Sequence, residues 1–150
     1  MITPIQSVYF IGLGAIGAKY ASKIYDFDPE MVSIIVDQKR LDRYTEEGVF
    51  VNQKRYDFKY VLAEHTVDKA DLIIIGVKSY QLKQAIEDIK PFVGENTLVL
   101  SLLNGINSHD IIADEIGAEH VLYSIVYMDA VRQQNYISYK SNGIFVFGEA

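Results

Sequence analysis

Ser7-Val8-Tyr9-Phe10-Ile11-Gly12-Leu13-Gly14-Ala15-Ile16-Gly17 decides how the rest of the chain is read. A short apolar run ends in glycine, and a helical pattern begins at once. Strand, glycine turn and helix in that order give a G-x-G-x-x-G spacing its physical content, that of a dinucleotide-binding turn. Gly12 permits the tight turn out of the strand. Gly14 lacks a Cβ, so a pyrophosphate can approach the backbone, and Gly17 lets helix and strand pack closely. The free N–H groups of the helix's first turn, with the helix dipole, then face an anion. The alternative is a glycine-rich turn with no ligand. A second strand ending in an acid, Asp37, weighs against it.

On the C-terminal side of the turn, Gly17, Tyr20, Ala21 and Ile24 share one helical face, predicting a helix over about 15–26 closed by Asp28-Pro29. Residues 31–36 are apolar and β-branched, as a buried parallel strand should be, and end at Asp37 with Lys39 and Arg40 just beyond. A short helix over about 41–47 stops at Gly48, suited to a left-handed cap. Residues 49–51 and the alternating 56–62 predict a small edge hairpin turning at 52–55. Residues 71–77 form a buried central strand with Lys78 at its end. Ser79 is expected to cap a helix whose stripe is Leu82, Ala85, Ile86 and Ile89, ended by Pro91. Residues 97–103 are another buried strand, delivering Asn104-Gly105. A helix over about 108–116 and a strand over 121–127 follow. The tail is expected to be a hairpin of 136–140 and 144–147 around Ser141-Asn142-Gly143.

Strands alternating with helices predict an α/β domain of the doubly wound, Rossmann type, with a mainly parallel sheet, helices on both faces and a C-terminal β-hairpin. Ligands of such sheets lie beyond the carboxyl ends of the strands. That rule places the Gly12 turn, Asp37, Lys78, Asn104 and the segment around Ala130 on one rim. The chain of 150 residues is expected to be one domain, with 49% hydrophobic residues to build a core. A net charge of −6 argues against a nucleic-acid partner. Cysteine is absent from the sequence, which excludes disulfides, thiolate metal sites and cysteine nucleophiles. His65, His109 and His120 match no metal spacing. No apolar run approaches a membrane span, and the N-terminus lacks a signal peptide's basic region. A soluble cytoplasmic protein with no membrane partner is the expectation.

Two side chains on the rim are candidates for chemistry. Lys78, at the end of a central strand, could orient a carboxylate or carbonyl oxygen, or donate a proton if buried; a surface lysine after a strand is the alternative. Asn104 could donate to one oxygen and accept from a carboxamide; a loop asparagine favoured by turn geometry is the alternative.

Gly12-Leu13-Gly14-Ala15-Ile16-Gly17, then Gly76-Val77-Lys78-Ser79-Tyr80-Gln81, then Ser101-Leu102-Leu103-Asn104-Gly105, then Tyr127-Met128-Asp129-Ala130-Val131-Arg132 occur in order. In this order and spacing the chain resembles the ketopantoate reductase (2-dehydropantoate 2-reductase) family. The glycine turn is shared by many dehydrogenases; the V-K-S-Y-Q and L-N-G blocks together are more specific. The resemblance covers essentially the whole chain, but only the N-terminal half of a typical family member. It implies NADPH-dependent reduction of 2-dehydropantoate to pantoate, a step toward pantothenate and coenzyme A. It also implies that Gly12, Leu13, Gly14, Ala15, Ile16 and Gly17 hold the pyrophosphate. Lys78 would stand beside nicotinamide and substrate, Asn104 against the cofactor, and Ala130 against it too, with Lys78 and Asn104 as the catalytic candidates.

The family's helical C-terminal domain, which supplies a catalytic lysine and a substrate-binding glutamate, has no counterpart here. The chain alone is therefore expected to bind a dinucleotide but not to turn over a small 2-keto acid, since it cannot exclude water from the hydride. Self-association, including a homodimer, is compatible with an uncovered apolar rim. The tail aromatics Tyr136, Tyr139, Phe145 and Phe147 are a candidate surface for it, with core packing as the alternative. The family commonly carries an arginine, suited to the 2′-phosphate of NADP, where this chain has Asp37. An aspartate there accepts from the ribose hydroxyls of NAD and repels a phosphate. Lys39 and Arg40 offset that repulsion, so NADP(H) is favoured and NAD(H) stays open. A reductase of another 2-keto acid and a non-catalytic dinucleotide-sensing domain are the competing readings. Whether the coding sequence continues past Ala150 separates the enzyme from the sensor.

Overall fold

The computed structural model describes residues 4–65, 68–103 and 107–148. The chain opens with strand β1 (Val8–Ile11) and helix α1 (Ala15–Phe27), then β2 (Val32–Val36) and α2 (Gln38–Glu47). Three short strands follow, β3 (Val49–Val51), β4 (Lys54–Tyr56) and β5 (Lys59–Leu62). The second half runs β6 (Leu72–Ile75), α3 (Leu82–Ile89), β7 (Leu98–Ser101), α4 (Asn107–Ile116) and β8 (Val121–Tyr127). It closes with β9 (Ala130–Gln133), β10 (Tyr136–Tyr139) and β11 (Ile144–Gly148).

The main sheet has the order β11-β8-β7-β6-β1-β2-β5, parallel from β5 to β8, with β11 antiparallel at one edge. Its pleat divides the core in two. Val8 and Phe10 of β1 pack on one face with Ala18 and Ala21 of α1 and Tyr44 of α2. Tyr9 and Ile11 pack on the other with Leu82, Ala85, Ile86 and Ile89 of α3 and Ile112 of α4. Helices therefore cover both faces, which is why β1 and β2 are buried at every position rather than alternating. The chain walks from β1 through β2 to β5, then returns to β6 on the other side of β1. The order reverses between β1 and β6, where α/β sheets place their ligands.

A second sheet, β4-β3-β10-β9, lies against α1, which contacts both sheets. It corrects two expectations. Residues 56–62 are not one strand of an edge hairpin. β3 and β4 do form a hairpin, turning through Asn52 and Gln53 at φ 48° and 70°, but β5 leaves to extend the main sheet beside β2. Tyr56 and Phe58 both pack edge-on against Tyr25 of α1, with ring centroids 5.5 Å away, and the chain changes sheets between them.

The C-terminal strands occur where expected, but β10 and β11 are not paired with each other. β10 pairs with β9 and β3, and β11 pairs with β8. The hairpin lies one strand earlier, β9 to β10, turning at Gln134 with φ 54°. The physical reason sits in α1. Lys19 is 0% exposed, and its ammonium donates to the backbone carbonyls of Ser141, at 3.0 Å, and Asn142. A buried charge is tolerated only when so satisfied. The Asn142-Gly143 segment is thus held across α1 and carries the chain from one sheet to the other. Of the tail aromatics, Tyr139 lies 4.6 Å from the Lys19 ammonium and Phe145 packs on Tyr20, while Tyr136 and Phe147 are exposed. Ser79 is not a cap: it begins a 3-10 turn (Ser79–Gln81), and the Gln81 side chain accepts from the Lys78 N–H at 3.2 Å.

Candidate functional site

A cleft of about 790 Å³ opens where β1, β2 and β6 end. It is of the size that binds small ligands. The glycine turn forms its floor. Gly12 has φ +90°, and a Cβ there would stand 2.7 Å from the Gly76 carbonyl group. The two strands are tied at this point by the Gly76 N–H donating to the Ile11 carbonyl at 2.8 Å. A Cβ on Gly17 would stand 2.6 Å from the Gly12 carbonyl oxygen, so helix and turn touch through backbone alone. Gly14 differs. A Cβ there would meet only the Gly76 oxygen, at 3.2 Å, and Gly14 lines the cleft. Gly14 is also the N-cap of α1, with no side-chain cap and no acid in the first turn. The helix's first N–H groups therefore have no side chain to satisfy them.

Four cations, Arg40, Arg43, Lys78 and Arg132, line the cleft against two carboxylates, Asp37 and Asp88. The lining is thus net positive in a chain whose net charge is −6. Asp37 is the N-cap of α2: its carboxylate accepts from the Arg40 N–H at 2.7 Å and pairs with the Arg40 guanidinium at 2.5 Å. Arg43 lies 5.0 Å from the Tyr44 ring centre, and its Nε is buried without a partner. A buried donor left unmade is costly. Arg132 arrives from β9. Its guanidinium donates to the Leu13 carbonyl and to the Gln134 carbonyl, and lies 3.5 Å from the Tyr44 hydroxyl. An uncapped helix N-terminus, a cradle at Gly14 and surplus positive charge fit a diphosphate-bearing ligand.

The structure brings Gly12, Leu13, Gly14, Ala15, Asp37, Arg40 and Lys78 together in this cleft. Lys78 is exposed on the cleft's lining. Ile16 packs toward the core and Gly17 is buried behind the turn. Lys39 is exposed on α2 and Ala130 half-buried at the start of β9, both outside the lining. Asn104 lies outside the described residues. Sequence reasoning missed Arg43, Tyr44 and Arg132. Arg43 had a signal, since it falls three residues after Arg40 on one helical face. Arg132 closes the Tyr127–Arg132 block that carries the resemblance, but nothing local places it beside Leu13, 119 positions away. Among the described residues no cluster of histidine and acidic side chains could hold a metal ion. No helix among them is long and apolar enough to cross a membrane.

A buried polar network lies under the end of β7. The Ser124 hydroxyl donates to the Ser101 carbonyl, and Ser101 Oγ accepts from the Leu103 N–H and contacts Ser108 Oγ at 3.2 Å. His109 Nε2 accepts from the Ser124 N–H at 3.1 Å, so that nitrogen carries no proton. Burial pushes His109 below its ordinary 6.5, with the Asp110 carboxylate opposing in part. The unfolded chain takes up this proton below about pH 6.5 and the folded chain does not. The network's contribution is therefore complete above that pH and is lost as pH falls through the lowered folded-state value. Thermal unfolding of the wild type and His109→Gln should show the wild type's advantage shrinking on acidification. Parallel curves across that range would contradict the assignment.

The family model described as ketopantoate reductase PanE/ApbA matches residues 8–150. The oxidoreductase YkpB of Bacillus subtilis (strain 168) is 25% identical over 144 residues, covering 93% of this chain and 47% of that protein. A 2-dehydropantoate 2-reductase of Streptococcus pyogenes serotype M3 is 28% identical over 121 residues, covering 79% of this chain and 39% of that protein. Among solved structures, a D-mandelate dehydrogenase with NADH and anilino(oxo)acetate superposes with a TM-score of 0.83 at 24% identity, over 94% of this chain and 47% of that one. The chain thus spans less than half the length of each of these proteins. With a family model matching nearly the whole sequence, and the glycine turn at the switch point of a Rossmann-type sheet, the chain belongs to the ketopantoate reductase PanE/ApbA family.

Proposed function

We propose that this chain is the cofactor-binding domain of an NADPH-dependent 2-keto acid reductase that converts 2-dehydropantoate to pantoate, the substrate-closing domain being supplied by the rest of a longer polypeptide. One observation carries the reading: an uncapped glycine turn, open at Gly14, on the floor of a cationic cleft at the switch point. When bound, a reduced nicotinamide supplies the hydride for the keto carbon. The protein's share is binding, orientation and exclusion of water.

In this reading the N–H groups after Gly12 and Gly14, and those opening α1, hold the diphosphate. Ile16 and Gly17 contribute through backbone alone. Lys78, exposed at the mouth of β6, orients the substrate carboxylate or keto oxygen with its ammonium. Asn104 and Ala130 take their place beside the cofactor from the family resemblance. A substrate domain of the kind the family resemblance implies would close over the keto acid and keep water from the transferred hydride.

The choice between NADP(H) and NAD(H) is made at α2. Asp37 favours a ribose hydroxyl, but its carboxylate is already shared between the Arg40 N–H and guanidinium. Arg43 adds a second cation to the lining. Lys39, outside the lining, adds charge at longer range. NADPH is therefore the favoured ligand. Replacing Arg40 and Arg43 together by glutamine should move the ratio of NADPH to NADH dissociation constants toward NADH by about tenfold or more, as loss of charged hydrogen bonds does. Asp37→Asn keeps the cap and removes the charge, so it should move the ratio toward NADPH. Both shifts should shrink as salt rises. A ratio that stays fixed across the variants, in a wild type that binds both cofactors, would place the adenosine end away from α2.

A further inference from the structure

We infer that Arg132 is a binding residue of this cleft, carried in from the second sheet to brace the glycine turn and to present its remaining donors to the diphosphate of the dinucleotide. The inference rests on the dinucleotide reading above and adds to it a residue that lies outside the Rossmann sheet.

The placement is built by the fold. β9 and β10 form a hairpin turning at Gln134, and Asn135 fixes its tip. Asn135 is 4% exposed; its side-chain amide donates to Glu47 at 3.0 Å, and its backbone carbonyl accepts from the Phe50 N–H at 2.9 Å. The hairpin is thereby fastened to the end of α2 and to β3, and Arg132 reaches across to the turn between Gly12 and Gly14.

A guanidinium has five N–H donors in a rigid planar fork. Here Nε is committed to the Gln134 carbonyl, Nη1 to the Leu13 carbonyl, and Nη2 lies near the Tyr44 hydroxyl at 3.5 Å. One N–H on each terminal nitrogen is left without a protein partner among the described residues, in a side chain that lines the cleft. Two consequences follow. The Leu13 carbonyl belongs to the same peptide group as the Gly14 N–H. A cation on that oxygen polarises the peptide, so the N–H facing the ligand becomes a stronger donor. The guanidinium also sits beside the positive end of α1, an arrangement of like signs that an anion between them resolves. A diphosphate at the turn meets both requirements.

Calorimetric titration of wild type, Arg132→Gln and Arg132→Lys with NADPH and NADH, at low and high ionic strength, tests this. Arg132→Gln should weaken both cofactors by about tenfold or more, leave their ratio unchanged, and bind with a smaller salt dependence. Arg132→Lys should restore the salt dependence but only part of the affinity, because an ammonium lacks the fork. A lower melting temperature with unchanged affinity and salt dependence would make Arg132 a brace only and overturn the inference. A shift in the cofactor ratio would overturn it too, by moving the contact to the adenosine end. If Arg132→Gln does not fold, Arg132→Lys decides: weaker binding of both cofactors at unchanged melting temperature supports the inference, and unchanged binding overturns it. Failure of the wild type to bind either cofactor would instead remove the dinucleotide reading itself.

Discussion

Gly12→Val should yield a chain that does not reach the native fold. The backbone at Gly12 has φ +90°, a region that a β-branched residue does not adopt without strain. The added Cβ would also overlap the Gly76 carbonyl group, 2.7 Å away, and Cγ1 of Val77 at 2.8 Å. Clearing an overlap of this depth would mean moving the Gly76 peptide itself, not shifting it by a few tenths of an ångström. Gly76 is hydrogen-bonded to the Ile11 carbonyl, at the junction of the two central strands. The expected cost exceeds about 4 kcal/mol, a large share of the 5–15 kcal/mol that holds a domain together. Far-UV circular dichroism and a melting curve measure it. A cooperative transition within about 5 °C of the wild type would mean that the turn is looser than this geometry.

Gly14→Val should do the reverse, sparing the fold and abolishing the ligand. Its backbone, at φ −66° and ψ 178°, is open to any residue. The Cβ meets one oxygen at 3.2 Å, a contact relieved by a shift of a few tenths of an ångström. The isopropyl group then occupies the cleft where the diphosphate must approach the backbone. A loss of at least about 100-fold in affinity for NADPH, roughly 2.8 kcal/mol, is expected with little change in melting temperature. Unchanged affinity in the folded variant would make the turn structural only. The contrast between two glycines two residues apart separates what the turn does for the fold from what it does for the ligand.

Most of the main sheet could be read from the sequence because its central strands β1, β2, β6 and β7 are buried on both faces and each carries its own apolar run. Residues 32–36 and 72–75 are examples, and the glycine turn marks the switch point between their neighbours. The second sheet could not be read in this way. β10 joins β3 across more than eighty residues, and local alternation does not say which strand a half-exposed segment will pair with. The Ser141-Asn142-Gly143 turn signal was sound as a turn signal. What it lacked was Lys19, whose buried ammonium holds that segment over α1. The site divides along the same line. Gly12, Gly14, Asp37 and Lys78 stand at strand ends, so topology alone gathers them. Arg132 comes from the second sheet, and its place beside Leu13 exists only once both sheets are packed on one helix. Asp37 was legible as a rim carboxylate but not as the cap of α2, because the sequence pattern starts that helix near residue 41, whereas it begins at Gln38.

The central claim is that a nicotinamide dinucleotide binds at the carboxyl ends of β1, β2 and β6. Titrating the isotopically labelled chain with NADPH, and following backbone amide resonances, tests it most directly. The account predicts saturable shifts concentrated at Gly12, Gly14 and Ala15, at Arg40 to Tyr44, and at Gly76 to Lys78, with the Gly14 amide among the largest. Saturable shifts confined to the outer face of the second sheet, around Phe50 and Tyr136, or no shifts at millimolar NADPH, would contradict it.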